Sequence, residues 1–403
     1  MSSLEQLLRL VDDEVPAATT LRERLHAVPE VGFAEVRTAE LVAAAMPVEC
    51  GRVAETGLLA RIGGPRGVLV RAELDGLAMH EETKAPFAAS NGHMHACGHD
   101  VHLAALVALT RAAYRMREDL PAPLVAVCQP SEERHPSGAL ALLDAPELAG
   151  GFDAVVAAHL HPLIAWGSVG VEPGAVNAAA DAAEIVVDGA GGHAAYPHLA
   201  TDPVLALAQI VVALHAMVGR KIDPMHAATL SVGRIEAGTA ENVIPSRARA
   251  WVTLRALDAG DQATLREALM STVDNLAAAY GCTATVRFTK SEPPLVNDEA
   301  LATPAAALAP AAGLAVAPPW RSCGADDFAH LHRLGPSLMA FVGLRDAPGF
   351  RPRPLHHPEF LPPPESVRMV ARAQAVAYLA GARLRDSSGT PRSGREESGR
   401  RRP

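Results

Sequence analysis

Several short stretches of the sequence group histidine, cysteine and carboxylate side chains, and the densest is HMHACGHDVH at residues 93–102. Zinc and similar divalent ions bind these side chains, and a catalytic site keeps one position open for water. Gly98 would let the backbone turn so that Cys97 and His99 face one point. Hydrogen-bonded loop histidines are the alternative interpretation, but the density of histidines and acids around one cysteine favours a metal site.

Two adjacent carboxylates, Glu132 and Glu133, follow a predicted buried strand in the stretch QPSEE. Neighbouring side chains on an extended backbone diverge, so one carboxylate could bind a metal ion while the other reaches a water molecule. A ligand beside a general base is what metal-assisted hydrolysis requires. Taken alone, the same stretch is more typical of a solvated acidic turn.

Two further pairs of histidines stand later in the chain. His159 and His161 lie at the end of AVVAAHLHP, and His356 and His357 lie in PLHHPEF, before a predicted C-terminal helix. Strand periodicity puts His159 and His161 on one face, although Pro162 could end the strand. One histidine of each pair could complete a metal site, and ordinary packing or capping explains each pair as well.

The stretch GAGGHAAYPH at residues 189–198 places His193 in a glycine-rich loop. It also matches the G-x-G-x-x-A pattern of dinucleotide-binding loops, which would suit an NAD-dependent reductase. Pro197 interrupts the helix start which that pattern needs, and the expected acidic residue about 20 positions on is missing, so we set this function aside. Asn242 and Arg255 are further polar candidates, although a turn residue and a surface strand residue are their ordinary interpretations.

Strands and helices alternate through most of the chain, which predicts an α/β fold with a mostly parallel sheet and helices on both faces. Buried strands are predicted at 67–74, 123–131, 154–162 and 337–344, and helices at 4–12, 17–28, about 101–117 and 365–383. SEE and HLH then fall at the carboxyl ends of strands, where such sheets place functional loops.

One segment, residues 181–291, has a different element order. Its predicted strand, helix, two strands, helix and strand give the ferredoxin-like pattern βαββαβ. We therefore predict a catalytic domain formed by 1–180 and 292–383, with an inserted ferredoxin-like lid domain at 181–291. The tail at 384–403 has almost no apolar residue, so we expect it to be disordered.

The composition bears on partners and location. The 403-residue chain has 49% hydrophobic and 20% charged residues, and its formal net charge of −9 disfavours nucleic-acid binding, which needs a basic face. An apolar run long enough for a transmembrane helix is missing, and the acidic N-terminus is unlike a signal peptide. Five widely spaced cysteines argue against a disulfide framework. We expect a cytoplasmic protein without a nucleic-acid or membrane partner.

Nine segments, in order, resemble the aminoacylase and glutamate carboxypeptidase superfamily of dinuclear metallohydrolases. The branch they resemble most is that of hippurate hydrolase, N-acyl-amino-acid amidohydrolase and indole-acetyl-amino-acid hydrolase. The similarity runs from about residue 20 to 380 and rests on LRERLHAVPEVGFAEVRTAELV, VRAELDGLAMHEET, MHACGHDVH, CQPSEE, HLHP, GGHAAYPH, GTAENVIPS, GADDF and LHHP.

The resemblance implies roles that the residues alone leave open. The ligands of two divalent ions, zinc, manganese or cobalt, would be Cys97, His99, Glu133, His159 and His356. Glu132 would be the general base, and Asp75 would support the metal centre. His193 and Asn242 would stabilise the oxyanion from the inserted domain, and Arg255 would meet the substrate carboxylate. His95, Asp100 and His102 are left as supporting residues around the ligands.

The activity that the resemblance implies is hydrolysis of an N-acyl amino acid at its amide bond by metal-activated water. A dipeptidase and an N-acetyl-diaminopimelate deacetylase are alternatives on the same scaffold, and a catalytically inactive metal-bound sensor is the non-enzyme alternative. The inserted domain of relatives often pairs subunits, which implies a possible homodimer. The chain departs from the usual family residues at Glu73, Gly76, Val101 and Asp326, and the last two bear on substrate choice.

Overall fold

The structure, a computed structural model, describes residues 3–387, and the chain divides into two compact units. The first unit comprises the chain up to Val171, Asp298–Pro318 and the chain from His332 onward, and the second comprises Glu172–Asn297 and Pro319–Leu331. The segment predicted as an inserted domain, 181–291, lies within the second unit.

The described residues form eight α-helices and sixteen strands. The helices are α1 (Ser3–His26), α2 (Val36–Ala45), α3 (His99–Arg115), α4 (Gly138–Leu143), α5 (Pro203–Lys221), α6 (Ala259–Ala279), α7 (Glu299–Leu308) and α8 (Ser366–Ser387). Short 3-10 helices lie at Pro146–Leu148, Pro197–Leu199, Ala309–Ala312 and Asp327–Leu334. The strands are β1 (Gly51–Val53), β2 (Gly57–Ile62), β3 (Val68–Glu73), β4 (Leu124–Gln129), β5 (Ala154–Ala165), β6 (Ser168–Gly170), β7 (Gly174–Asn177), β8 (Ala179–Asp188), β9 (Gly192–His193), β10 (Ala228–Ala237), β11 (Val243–Ile244), β12 (Arg247–Ala256), β13 (Thr283–Glu292), β14 (Leu295–Asn297), β15 (Ala315–Val316) and β16 (Ser337–Arg345).

The first unit is built on an eight-stranded sheet in the order β1-β2-β4-β3-β5-β16-β6-β15. Its four central strands, β4, β3, β5 and β16, run parallel. Strands β1 and β2 pair antiparallel to their neighbours, and β6 is antiparallel to β16 but parallel to β15. Every residue of β3 and β4 is buried, as expected for strands in the middle of a parallel sheet. Helices α3 and α8 pack against this sheet, and α1 packs against both helices. The predicted α/β fold with a mostly parallel sheet is confirmed.

One helix prediction is wrong in the N-terminal part of the first unit. The two helices predicted at 4–12 and 17–28 are one continuous helix, α1, with Pro16 in its interior. An interior proline removes one hydrogen bond and strains the turn before it. A long apolar stripe that includes Leu7, Val11, Leu21 and Leu25 is buried, and its packing outweighs this local cost.

The predicted ends of one strand and one helix also differ from the structure. The strand that holds the HLH stretch does not end at Pro162 but continues to Ala165, whose partner on β16 is Arg345. The HLH stretch therefore lies inside β5 and not at its end. At the C-terminus, α8 runs through Ser387, so residues 384–387 of the predicted disordered tail are helical. Residues 388–403 of that tail lie outside the described residues.

The second unit contains a four-stranded antiparallel sheet in the order β10-β12-β8-β13, with α5 and α6 packed against it. This strand order and the element order confirm the ferredoxin-like pattern that the sequence predicts. The side chain of Asp202 accepts hydrogen bonds from the amides of Val204 and Leu205 and so caps the start of α5.

Helix α5 is, within the described range, the one helix long and apolar enough to cross a membrane by length and composition. One of its faces, which includes Ala206, Ile210 and Leu214, is buried in the core of the second unit. Val204, Leu205 and Val212 are exposed on the rest of its surface. This distribution is that of an amphipathic helix packed on a sheet.

Candidate metal centre

The tight turn before α3 brings the first two predicted ligands to one point. Gly98 directly precedes the helix with φ +89°, a left-handed conformation that glycine adopts without a steric penalty. A Cβ atom at this position would lie 3.1 Å from Leu160 Cδ1. The ligand atoms of Cys97, His99 and Glu133 all lie within 4.8 Å of one another.

The other two predicted ligands lie beside these three, so the structure brings all five together in the first unit. His159 Nε2 is 3.5 Å from Cys97 Sγ, and His356 Nε2 is 3.1 Å from Glu133 Oε1. His356 comes from a loop far along the chain, and its amide donates to the carbonyl oxygen of Ala96, 2.9 Å away. That backbone hydrogen bond fixes the late loop against the segment that carries Cys97.

Each histidine pair separates into one residue at the cluster and one outside it. His161 Nδ1 accepts from the amide of Leu163 at 3.2 Å, and His357 Nδ1 accepts from the amide of Glu359 at 3.0 Å. These local contacts are those of turn residues, so we assign neither His161 nor His357 to the cluster.

Two backbone carbonyls set the ring tautomers at the cluster. His99 Nδ1 donates to the Asp75 carbonyl oxygen at 2.8 Å, and His159 Nδ1 donates to the Leu160 carbonyl oxygen at 2.7 Å. Because a carbonyl can only accept, each Nδ1 carries a hydrogen, so in the neutral ring each Nε2 has the lone pair that a metal ion needs. His99 Nε2 is buried without a hydrogen-bond partner among the described residues, as a metal ligand would be in the absence of its ion.

The two adjacent carboxylates lie in a turn that starts at Ser131, whose φ is +48°. Glu132 Oε2 and Glu133 Oε1 are each 3.9 Å from His99 Nε2. The extended backbone expected for the two glutamates is therefore wrong, because β4 ends at Gln129 and both glutamates lie in a bend after the left-handed Ser131. Asp75 Oδ2 accepts from the amide of Glu133 at 2.9 Å and holds this end of the turn.

The charges around the cluster favour an added cation. Burial alone would lower the pKa of His99, but the Glu73 and Asp75 carboxylates raise it to about 10. Burial, together with the Glu133 carboxylate, raises the pKa of the Cys97 thiol well above its usual range. Carboxylates contribute to both shifts, which indicates negative charge in a buried site that a divalent ion would neutralise. The donor set of imidazole, thiolate and carboxylate is also one that such ions accept.

His102 lies close enough to His99 and His159 to be considered a ligand, but its ring is already occupied. Its Nδ1 donates to Glu73 Oε2 at 2.9 Å, and its Nε2 accepts from the amide of Leu160 at 3.0 Å. Glu73 also accepts from the buried Arg71. His102 therefore ties α3 to the strand that carries His159, a role that its position next to the ligand loop does not reveal.

A second buried network holds the first turn of α3 through Asp100. Asp100 Oδ2 is 2.6 Å from Arg22 Nε and 2.9 Å from His26 Nδ1, and His26 Nε2 is 3.0 Å from Glu81 Oε1. Arg22 and His26 are not among the site residues predicted from the sequence. The sequence feature that could have identified them is their i, i+4 spacing, which puts two polar residues on the face of α1 that also carries its buried leucines.

The remaining predicted residues belong to the second unit. His193 lies in β9 directly opposite Val243, and the carbonyl oxygen of Asn242 accepts from the amide of Ala194 at 3.1 Å, so His193 and Asn242 are neighbours. Arg255 lies on β12, opposite Ala180 and Thr229 on the flanking strands. The predicted roles of these three residues, like those of the ligands and of Glu132, stay predictions.

Comparisons with known proteins identify the family of the chain. A family model described as peptidase family M20/M25/M40 matches residues 69–377. An N-acetyl-L-cysteine deacetylase of Bacillus subtilis is 31% identical over 376 residues, which cover 91% of this chain and 88% of the relative. An N-acyl-L-amino acid amidohydrolase of Geobacillus stearothermophilus is 34% identical over 301 residues, which cover 73% of this chain and 81% of the relative.

A solved structure supports the same family assignment. A dinuclear metal-binding peptidase of the M20 family from Bacillus subtilis superposes with a TM-score of 0.79 at 28% identity, over 93% of this chain and 99% of that one. The resemblance predicted from the nine segments is thus confirmed. The chain belongs to peptidase family M20/M25/M40 and is an amidohydrolase of that family.

Proposed function

We propose that this protein hydrolyses the amide bond of N-acyl amino acids and releases a carboxylic acid and a free amino acid. The observation that supports this most strongly is the cluster of five donor side chains with a carboxylate, Glu132, beside it. The names of two relatives, a deacetylase of an acetylated amino acid and an N-acyl amino acid amidohydrolase, point to the same substrate class.

We assign the five donors, Cys97, His99, Glu133, His159 and His356, to two divalent ions. Zinc, manganese and cobalt all suit this mixed set of nitrogen, oxygen and sulfur donors. When bound, such ions lower the pKa of water and stabilise negative charge on the amide oxygen. Asp75 orients the site through its carbonyl oxygen, which accepts from His99, and through its carboxylate, which accepts from the amide of Glu133.

Glu132 is the proposed general base. Its carboxylate takes a proton from water as the water oxygen attacks the carbonyl carbon of the amide, and it then gives that proton to the amine nitrogen as the C–N bond breaks. We propose that His193 and Asn242 stabilise the oxyanion that forms during this attack. Arg255 meets the carboxylate of the amino acid, and its guanidinium suits bidentate binding of such a group.

We also propose a cytoplasmic homodimer that forms through the second unit. The apolar side chains of Leu205 and Val212 are exposed on α5, and exposed apolar groups on one helix favour association with another protein surface. The net charge of −9 supports a small-molecule substrate over a nucleic acid.

A substrate screen tests the proposed reaction. Chelated protein would receive zinc, manganese or cobalt and would then be assayed with N-acetyl-L-cysteine, N-acetyl-L-methionine, N-benzoylglycine, N-acetyl-diaminopimelate and dipeptides with a free amino group. We expect several N-acyl amino acids to be hydrolysed with a kcat/KM at least about tenfold above that of any dipeptide. A reversed preference would show a dipeptidase, hydrolysis of N-acetyl-diaminopimelate alone would show the narrower deacetylase, and inactivity on the whole panel would contradict the proposal.

A further inference from the structure

The turn that carries Glu132 is held on both sides by buried carboxylates. On one side the amide of Glu133 donates to Asp75 Oδ2, and on the other the amide of Ser131 donates to Glu35 Oε1 at 2.8 Å. Glu35 is separated from Ser131 by 96 positions in the sequence, and its side chain is completely buried. The residue between these two amides is the proposed general base.

The carboxylate of Glu35 does not serve the helix that it precedes. Glu35 is the N-cap residue of α2, yet its side chain makes no capping hydrogen bond within the described structure. Glu30 takes that place, because Glu30 Oε2 accepts from the amide of Thr38 at 2.8 Å and Glu30 Oε1 accepts from the amide of Arg37 at 3.2 Å. Glu35 instead binds Ser131 through Oε1 and accepts from Thr56 Oγ1 through Oε2 at 2.6 Å.

Ser131 needs such an anchor because its backbone conformation is unfavourable. Its φ of +48° lies in the left-handed region, which residues other than glycine adopt at a cost unless the surroundings hold them there. The segment that carries Glu35 also packs directly on this turn, since a Cβ atom on Gly32 would lie 2.4 Å from Ser131 Oγ. Gly32 and Glu35 therefore shape the turn from the same side.

We infer that Glu35 is a positioning residue for the general base: by holding the Ser131 amide, it keeps the turn in the conformation that aims the Glu132 carboxylate at the metal centre. Asp75 holds the other end through Glu133, but Ser131 is the residue whose conformation needs support. Because this role presupposes the proposed amide hydrolysis, its test uses the N-acyl amino acid of the panel that the wild type hydrolyses fastest.

Two variants of similar size separate hydrogen bonding from packing. Glu35→Met fills the same space but cannot accept from Ser131, whereas Glu35→Gln keeps an acceptor oxygen for that amide. We expect Glu35→Met to lower kcat about 10- to 100-fold, because a displacement near 1 Å at a reacting group has an effect of that size. KM and metal content should stay within about twofold of the wild type, and Glu35→Gln should restore most of kcat.

Hydrogen exchange gives a readout that does not depend on activity. The amide of Ser131 should exchange faster in Glu35→Met than in the wild type, and Glu35→Gln should restore its protection. Thr56→Val is the matched control, because it removes the other partner of Glu35 and leaves the Ser131 contact in place. We expect its kcat to stay within about twofold of the wild type.

Several outcomes would overturn the inference while leaving the proposed function intact. One is a folded, metal-loaded Glu35→Met protein whose kcat lies within about threefold of the active wild type. Another is a Glu35→Gln protein as slow as Glu35→Met, which would indicate a need for the charge and not for the acceptor. If Glu35→Met does not fold, Gly32→Ala is the second test. Its added Cβ would lie 2.4 Å from Ser131 Oγ and 2.7 Å from Ser131 Cβ, so the packing of this segment on the turn must change. An unchanged kcat would refute the role of this packing in positioning Glu132. A wild type inactive on the whole panel would instead refute the proposed function.

Discussion

Glu132→Gln is expected to lower kcat for an N-acyl amino acid by about 10²- to 10⁴-fold, which corresponds to about 3–5 kcal/mol of transition-state stabilisation. Glutamine has nearly the same shape as glutamate but cannot take a proton from water. The Glu132 carboxylate lies 3.9 Å from His99 Nε2, which places it beside the cluster of proposed ligands. Steady-state kinetics of the metal-loaded variant measure the effect.

The same substitution should leave metal binding intact, because Glu132 is assigned to the proton and not to the ions. Metal analysis of Glu132→Gln should therefore match the wild type. Glu40→Gln is the matched control, since Glu40 is exposed in the same unit and pairs only with Arg37 among the described residues. Turnover by Glu132→Gln above about a tenth of the wild-type rate would remove Glu132 from the role of general base.

Cys97→Ala should lower metal occupancy and, with it, activity. The thiol lies 3.5 Å from His159 Nε2 and within 4.8 Å of the donor atoms of His99 and Glu133, so its removal takes one donor from the centre of the cluster. Even changes to residues outside the ligand set weaken metal affinity about 10- to 100-fold, so we expect loss of a ligand to have at least that effect. Competition titration against a chromogenic chelator measures the change in affinity.

Cys50→Ala is the control for Cys97→Ala, because Cys50 is a half-buried thiol of the same unit whose Sγ contacts the carbonyl oxygen of Val48. Its metal affinity and activity should match those of the wild type. Unchanged stoichiometry and affinity in Cys97→Ala would show that Cys97 is not a ligand.

The sequence could predict which parts of the chain meet, because simple topology governs that outcome. PSEE follows β4, the ligand loop follows β3, and these neighbouring parallel strands end at the same edge of the sheet. The left-handed turn at Gly98 was also predictable, since a glycine between two candidate ligands suggests a backbone that other residues adopt poorly.

The contacts that orient the site could not be predicted in the same way. The carbonyls that set the tautomers of His99 and His159 are backbone atoms, and residue types carry no information about them. Glu35 accepts from the amide of Ser131 and His102 from the amide of Leu160, and both contacts join segments that are distant in the sequence. His102 is predicted only as a supporting residue near the ligands, and Glu35 is not predicted at all, because local patterns do not encode tertiary contacts.

A metal titration of the chelated wild type tests most directly whether hydrolysis depends on two divalent ions bound at the cluster. Zinc, manganese or cobalt would be added in steps, and bound metal and hydrolysis of the fastest N-acyl amino acid would be followed in the same samples. We predict that hydrolysis is abolished in the chelated protein and rises with occupancy to a plateau near two ions per chain. Full hydrolysis by protein with less than about a tenth of an ion per chain, or none at full occupancy, would contradict it.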